Sequence, residues 1–133
     1  MRAIPVGAKG TFTLPVTPGD LANQFKDAIL PPVFATPMMI RAMENAALNA
    51  IRAYLEAGES AVGTAIDVRH LAATPVGHVV TAEAEVTGVD GRRISFRVSA
   101  RDQSEEIGRG THARMVIDVR RLEQRLAGKR AAS

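Results

Sequence analysis

The sequence predicts an α+β fold in which an antiparallel β-sheet curls around one long helix. Three observations support this prediction. Residues 37–55 repeat their apolar side chains at the helical period of about 3.6 residues. Four later segments alternate apolar and polar side chains, which is typical of strands with one buried face. Short connections join those segments, so the strands should run antiparallel and leave the single helix to cover the sheet.

Two elements are predicted before the long helix. Residues 10–16 (GTFTLPV) alternate weakly and predict a first strand. Residues 17–32 have no clean period and lie between a Pro-Gly and a Pro-Pro pair, both of which interrupt regular structure. Their apolar residues, which include Phe25, predict a short helix or a lid.

The long helix is predicted to begin at Thr36-Pro37 and to end before Gly58. Threonine is a favoured N-cap residue and proline a favoured first helical residue. Glycine commonly follows the last turn of a helix. The simplest role for Thr36 is therefore to cap this helix.

Glu44 lies on the apolar face of the predicted helix. At about 100° per residue it falls between Ile51 and Leu55, on the side that also carries Ile40 and Ala47. Burying an unpaired carboxylate is costly. Glu44 should therefore join a structural ion pair, reach solvent at the helix edge, or work in a pocket.

After Gly58 the period changes from helical to two. Asp90-Gly91 is a strong hairpin signal of the type that requires positive φ. His70 falls on the apolar-facing side of the first strand after the helix, whereas His112 is predicted to be exposed or at a contact. Strands are predicted over residues 60–72, 79–89, 92–101 and 106–120, and a short helix over residues 121–127.

Composition predicts one domain, residues 1–133. The chain is 46% hydrophobic but only 4% aromatic and has no tryptophan, so few side chains are large and extra burial between subunits is favoured. The absence of cysteine suits a reducing cytoplasm. There is no signal peptide and no run of about 18 apolar residues, so we expect a cytoplasmic protein without a membrane segment.

The charge pattern narrows the class of partner. The formal net charge is +3, with much of the excess near the last residues. Aromatic residues are too sparse to stack on bases, so nucleic acid is not expected as a partner. A mildly basic surface would suit an anionic small molecule such as one carrying phosphates. A solvated surface with a basic tail explains the charge equally well.

Three residues are candidates for chemistry: Thr36, Glu44 and His70. The chain has no P-loop, no dinucleotide-binding glycine pattern and no metal-type cluster, so we expect no metal and no cofactor. Thr36 and Glu44 share one side of the helix, and a curled sheet can bring His70 towards Glu44. A histidine held by a carboxylate can act as a general base, with the threonine as nucleophile or as positioner of a water. Capping by Thr36 and a structural role for His70 are the alternatives.

Four blocks of the sequence carry a resemblance to a known family. They are PPVFATPMMIRAMENAA, YLEAGESAVGTAIDVRHLAATPVG, VDGRRISFRVSARD and EEIGRGTHARMVI. Across residues 33–117 the chain resembles the fluoroacetyl-CoA thioesterase-like family of hotdog-fold proteins, whose fold is a long helix wrapped by an antiparallel sheet. The resemblance implies hydrolysis of an acyl-CoA thioester by a homodimer with active sites at the subunit interface.

The resemblance also implies roles for individual residues. The family's catalytic threonine, glutamate and histidine match Thr36, Glu44 and His70. An acyl-facing glycine of the family matches Gly63 in the GTA segment. Coenzyme A is then part of the substrate, and neither a metal nor a separate cofactor is implied.

The lid departs from the family pattern. Where the fluoroacetyl-specific enzyme has phenylalanines over the acyl pocket, this chain has DAILPPVF, with Ile29 and Leu30. Only Phe25 and Phe34 are aromatic nearby, and Leu30 and Phe34 are the predicted acyl-pocket residues. We therefore expect a small or medium acyl chain on coenzyme A, not selection of a fluorinated acyl group by the same contacts.

Arginines are candidate ligands for the phosphates of coenzyme A. The four candidates are Arg92, Arg93, Arg97 and Arg114. Of these, Arg93 and Arg114 are the predicted substrate contacts, and a solvent-exposed charge on the sheet is the alternative for each.

Two other functions stay open: a hotdog hydratase or dehydratase acting on an acyl thioester, and a non-catalytic acyl-CoA-binding module. Assembly beyond a homodimer, such as a dimer of dimers, is also open.

Overall fold

A five-stranded antiparallel sheet curls around helix α2 in the computed structural model, which describes residues 1–25 and 27–132 without the side chain of Phe25. The predicted α+β arrangement is confirmed. The strands are β1 (Lys9–Pro15), β2 (Glu59–His70), β3 (Val79–Asp90), β4 (Arg93–Arg101) and β5 (Glu106–Asp118). The helices are α1 (Ala22–Phe25), α2 (Thr36–Ile51) and α3 (Val119–Ala132), with short 3₁₀ turns at Pro18–Asp20 and Arg52–Tyr54.

The strand order β1-β3-β4-β5-β2 leaves β1 and β2 at the two edges. β2 runs antiparallel to β5, from Glu59 opposite Asp118 to His70 opposite Gly108. The register of this pair shifts between Gly63 and Ala65, which marks a β-bulge in the edge strand. The predicted turn between β3 and β4 is confirmed, because Gly91 has φ of 61°.

Small side chains allow the sheet to approach α2 closely. Three of the buried residues of α2, Met39, Met43 and Ile51, are large, and the others are alanines. Each large apolar side chain contributes roughly 1.5–3 kcal/mol on full burial. The opposite side of the core comes from alternate residues of β3 and β4, such as Val86 and Phe96. This packing explains how a chain with few aromatic residues fills a core.

The buried stripe of α2 lies to one side of the face predicted from sequence. Ile40 and Leu55 are only partly buried, and α2 ends at Ile51, where a 3₁₀ turn replaces the predicted last helical turn. Glu44 therefore lies at the border of the stripe, with its side chain 41% exposed. Glu44 does lie beside the apolar face, as predicted, but its carboxylate is not enclosed in the core.

The remaining predicted elements differ mainly in length. In the segment predicted as a short helix or lid, α1 is a single turn and leads into an irregular stretch that returns to Phe34, while Lys26 lies outside the described residues. The final helix α3 is longer than predicted and buries none of its residues. Within the described ranges, no helix has the length and apolar character needed to span a bilayer.

Candidate active site

Thr36 and His70 meet where the start of α2 faces the end of β2. Thr36 is the first residue of α2, and Ala35 occupies the N-cap position. The Thr36 Oγ1 atom lies 2.8 Å from His70 Nδ1, within hydrogen-bond distance. Thr36 therefore lies at the start of the helix as predicted, but the alternative in which it caps the helix is wrong, because Ala35 is the N-cap and the Thr36 hydroxyl contacts an imidazole.

His70 is held as a neutral ring in this position. Burial lowers the pKa of His70, partly offset by the nearby backbone of Ala72. In the tautomer whose Nδ1 accepts the Thr36 hydroxyl proton, the other nitrogen, Nε2, carries the ring proton. His70 Nε2 is buried and has no hydrogen-bond partner among the described residues. The pair thus combines a base in contact with a hydroxyl and a ring donor that lacks an acceptor.

A cavity of about 550 Å³ opens beside this pair. Thr36 and His70 are the polar members of its wall, and Leu30 and Phe34 belong to the same wall. A mostly apolar cleft with a few convergent polar groups is the usual form of a small-molecule site. The other lining residues are Ala22, Val33, Leu71, Ala72 and Ala73.

The start of α2 offers few free backbone donors. Pro37 has no N–H, and the amides of Met38 and Met39 both donate to the carbonyl oxygen of Ala35, at 3.0 and 3.2 Å. The amide of Thr36 makes no hydrogen bond with the described residues. It is therefore the candidate donor to an oxyanion formed next to the Thr36 hydroxyl.

Glu44 belongs to a second cluster, beside the bulge of β2. Its Oε2 lies 3.6 Å from Arg114 Nη1. A Cβ atom on Gly63 would lie only 2.5 Å from the same oxygen, so the carboxylate occupies space that a side chain at position 63 would need. Glu44, Gly63 and Arg114, which were predicted as site residues with separate roles, thus lie together around the Glu44 carboxylate.

His112 adjoins this cluster, with its Nε2 atom 3.2 Å from Arg114 Nη1. His112 is only 3% exposed, so of the two predicted positions, exposed or at a contact, the exposed one was wrong. Residues 112, 114 and 116 of β5 are all buried, and Gly108 on the same strand leaves space that Met39 of α2 fills. Because a glycine-bearing face can pack as closely as an apolar one, glycines next to a histidine do not indicate exposure. The alternation of β5 was the one signal that pointed to burial.

The predicted site residues therefore form two groups within one chain. Glu44 and His70 do not pair, since His70 bonds Thr36 and Glu44 faces Arg114. Eight residues separate Thr36 from Glu44, which corresponds to roughly 12 Å along the helix at about 1.5 Å per residue. Arg114 is buried and donates to Ala61 O at 2.6 Å, so it is not presented at the surface for a phosphate.

The other three candidate arginines lie on the surface. Arg93 is exposed, and its side chain makes no hydrogen bond or ion pair with the described residues. Arg92 is ion-paired with Glu59, and Arg97 with Glu85. Arg93 is thus the candidate that keeps an unengaged guanidinium.

Comparison with known proteins decides the family. A family model for the fluoroacetyl-CoA-specific thioesterase matches residues 16–120. A fluoroacetyl-CoA thioesterase of Streptantibioticus cattleyicolor is 50% identical over 105 residues, which cover 79% of this chain and 76% of that protein. This chain belongs to the fluoroacetyl-CoA thioesterase family. The predicted resemblance is confirmed.

Solved structures of relatives support the same assignment. A structure of the fluoroacetyl-CoA thioesterase FlK superposes on this chain with a TM-score of 0.90 and is 42% identical to it. The match covers 96% of this chain and 98% of the FlK chain. A Thermus thermophilus hypothetical protein described as a thioesterase superfamily member matches with a TM-score of 0.90 at 31% identity over 100% of both chains. The hotdog fold is confirmed, and the chain is a thioester hydrolase.

Proposed function

We propose that this thioesterase hydrolyses a small or medium acyl-CoA to the free acid and coenzyme A in the cavity beside Thr36 and His70. The 2.8 Å contact between Thr36 Oγ1 and His70 Nδ1 at the wall of that cavity is the observation that carries the proposal. A hydroxyl in contact with a neutral imidazole is the pairing that activates a nucleophile.

The proposed reaction begins when His70 Nδ1 takes the hydroxyl proton of Thr36. Thr36 Oγ1 attacks the thioester carbonyl carbon, and the amide of Thr36 donates to the resulting oxyanion. Collapse breaks the C–S bond, and the thiolate of coenzyme A takes the proton from His70. A water then attacks the acyl-threonine ester, with His70 again as base, and releases the acid and the Thr36 hydroxyl. In an alternative mechanism without an acyl intermediate, His70 activates a water directly and Thr36 positions that water.

We further propose that the enzyme is a homodimer in which Glu44 of a second copy approaches His70. β2 is an edge strand, and residues 62–67 are exposed, with Val62 and Ile66 each 39% exposed. A long edge strand with apolar side chains is prone to pair with another copy. Antiparallel pairing of two β2 strands would carry the Glu44 cluster of one copy towards the His70 end of the other. The Nε2–H of His70 has no hydrogen-bond acceptor among the described residues of its own chain, and a carboxylate would supply one.

The cavity wall supports the proposed acyl preference. Leu30 and Phe34 both line the cavity, and the remaining apolar lining is aliphatic. An aliphatic lid residue provides apolar surface without an aromatic face, which suits an ordinary short acyl chain. Arg93 is the proposed contact for a phosphate of coenzyme A, because its charge is exposed and unengaged.

The proposed chemistry requires neither a metal nor a separate cofactor. A base, an oxyanion donor and water suffice for thioester hydrolysis, and the chain's own residues provide the first two. We propose that the enzyme works in the cytoplasm, where acyl-CoA substrates are present and a chain without cysteine has no disulfide to lose.

The test is a thiol-release assay with a panel of acyl-CoAs from acetyl to long-chain and aryl groups. We expect release with short or medium chains, and a fall in kcat of about 100-fold or more in His70→Ala, because the base contributes on the order of 10²–10⁴-fold. Thr36→Val should lose activity similarly if Thr36 is the nucleophile. Full activity in His70→Ala would refute the site. Hydration of an enoyl-CoA that survives Thr36→Val would indicate the hydratase instead.

A further inference from the structure

His112 is a buried histidine that the proposed reaction does not use. Its Nδ1 lies 2.7 Å from the carbonyl oxygen of Ala65, and its ring stacks on Phe96 with centroids 5.8 Å apart. A carbonyl can only accept, so Nδ1 carries the ring proton. In the neutral ring, Nε2 is then an acceptor.

That acceptor faces the guanidinium of Arg114. Arg114 Nη1 lies 3.2 Å from His112 Nε2, and Arg114 Nη2 donates to Ala61 O at 2.6 Å. The same Nη1 lies 3.6 Å from Glu44 Oε2. The guanidinium is therefore fixed by two acceptors on β2 and β5, and its remaining interaction is with Glu44.

Neutrality of His112 is required for this arrangement. Burial is the largest influence and lowers the pKa of His112, and the charge of Arg114 lowers it further, whereas the hydrogen bond to Ala65 and the charge of Glu44 oppose this without outweighing it. A cationic ring would turn Nε2 into a second donor against a guanidinium that has no acceptor atom. The buried contacts thus favour the one protonation state in which His112 can hold Arg114.

We propose that His112 is a positioning residue for Glu44 and acts through Arg114. The inference rests on the proposed catalytic role of Glu44. The chain of contacts runs from Ala65 O through the His112 ring and the Arg114 guanidinium to one oxygen of Glu44, which leaves the other oxygen for the reaction. Fixing a reacting group by buried neighbours preserves its orientation in the transition state.

Two substitutions at position 112 separate positioning from packing. His112→Asn places an amide near Nδ1 and can keep the bond to Ala65 O, but it loses the acceptor that faces Arg114. His112→Gln reaches further and can place its oxygen where Nε2 accepts from Arg114. We expect kcat to fall on the order of 10- to 100-fold in His112→Asn with KM nearly unchanged, and to be largely retained in His112→Gln. Equal losses in the two variants would overturn the proposal.

A double-mutant cycle distinguishes this inference from the proposed role of Glu44. If Glu44→Gln lowers kcat and His112→Asn adds nothing in that background, the two residues act as one unit. If Glu44→Gln is impaired but the effect of His112→Asn is the same in both backgrounds, the inference fails while the proposed function stands. If Glu44→Gln keeps full activity, the role of Glu44 and this inference fail together.

A measurement on the wild-type enzyme covers the case in which His112→Asn does not fold. In a long-range ¹H–¹⁵N spectrum at pH 7, with the signal assigned through His112→Gln, His112 should show a protonated Nδ1 and an unprotonated Nε2. A protonated Nε2 would leave Arg114 without its acceptor and would overturn the proposal.

Discussion

The carboxylate of Glu44 lies against β2 because position 63 has no side chain. A Cβ at Gly63 would lie 2.5 Å from Glu44 Oε2 and 3.3 Å from His112 Cε1. The first distance is far below ordinary van der Waals contact, so a side chain here would displace the carboxylate. A single hydrogen atom in place of a methyl group therefore sets the position of the proposed catalytic carboxylate.

Gly63→Ala should lower kcat on the order of 10- to 100-fold, because its Cβ displaces the Glu44 carboxylate and also presses on the buried His112 ring. The measurement is kcat and KM in the thiol-release assay, with the thermal midpoint as a check on folding. Gly88→Ala is the matched control, since a Cβ there would meet nothing closer than Ser95 Cβ at 4.0 Å. A Gly63→Ala enzyme as active as Gly88→Ala would show that the position of Glu44 does not matter.

The environment of His70 predicts the acid side of the pH profile. Burial lowers its pKa, so the neutral, catalytically competent ring persists below the usual histidine pKa of about 6.5. Activity should therefore fall only as the pH drops below that value, when the ring gains a proton and can no longer accept one from Thr36. The measurement is the pH dependence of kcat/KM from about pH 5 to about pH 8, a range that brackets the usual histidine pKa. A kcat/KM profile whose acid-side midpoint lies above about pH 6.5 would contradict a lowered pKa of His70.

At the scale of elements, the loop between β2 and β3 forms one side of the cavity and is held in place by hydrogen bonds of a buried residue. Leu71, Ala72 and Ala73 of this loop line the cavity. Thr74, in the same loop, is fully buried and donates to Asp102 Oδ2 at 2.9 Å, while its carbonyl accepts from the Phe34 amide. The anchor thus ties the cavity wall to the end of β4.

Asp102 is the centre of that anchor. Burial opposes its ionisation, but hydrogen bonds from the Ser104 amide, the Thr74 hydroxyl and the Glu105 amide, together with the charge of His78, outweigh burial and lower its pKa. Its stabilising contribution is therefore fully present above the unfolded carboxyl pKa of about 3.9 and is lost as the pH falls below it.

Asp102→Ala should destabilise the fold by about 2–3 kcal/mol, since it leaves a buried hydroxyl and two amides without their acceptor. Urea unfolding at pH 7 measures the loss, with Glu123→Ala on the exposed helix α3 as the control for removing an acidic side chain. The difference between wild type and Asp102→Ala should shrink below about pH 4. A difference that stays constant to pH 3, roughly one unit below that pKa, would exclude an ionised Asp102 as its source.

At the scale of the whole molecule, the exposed edge strand β2 separates the two groups of site residues in one chain and offers a way to join them between chains. Thr36 and His70 lie at one end of β2 and Glu44 beside its bulge. Two copies related by a two-fold axis and paired along β2 would form two sites, each with Thr36 and His70 from one copy and Glu44 from the other.

Mixing inactive variants tests this assembly. Thr36→Ala and Glu44→Gln dimers should be nearly inactive alone, whereas unfolding and refolding them together should restore up to about a quarter of wild-type activity, since half of the dimers are mixed and each has one intact site. Each variant refolded alone is the control. Without recovery in a mixture shown by mass spectrometry to contain mixed dimers, the Glu44 and His70 of one site would belong to the same chain.

The sequence by itself determined the order of elements, the fold class and the set of residues to inspect. These follow from local patterns: the change of period after Gly58, the hairpin signal at Asp90-Gly91 and the motif blocks around Thr36, Glu44 and His70. The start of the helix was correct to one residue, because Pro37 restricts where a helix can begin.

Only the tertiary structure decided what each of these residues touches. The Thr36 hydroxyl bonds His70 instead of capping its helix, Glu44 faces Arg114 instead of His70, and His112 is buried. These contacts join positions that are far apart in the chain, 34 residues for Thr36 and His70 and 70 residues for Glu44 and Arg114, and they depend on the curl of the sheet and the bulge in β2. Periodicity along one segment carries no information about the segment that packs against it, so such contacts are set by the assembled core and not by local sequence.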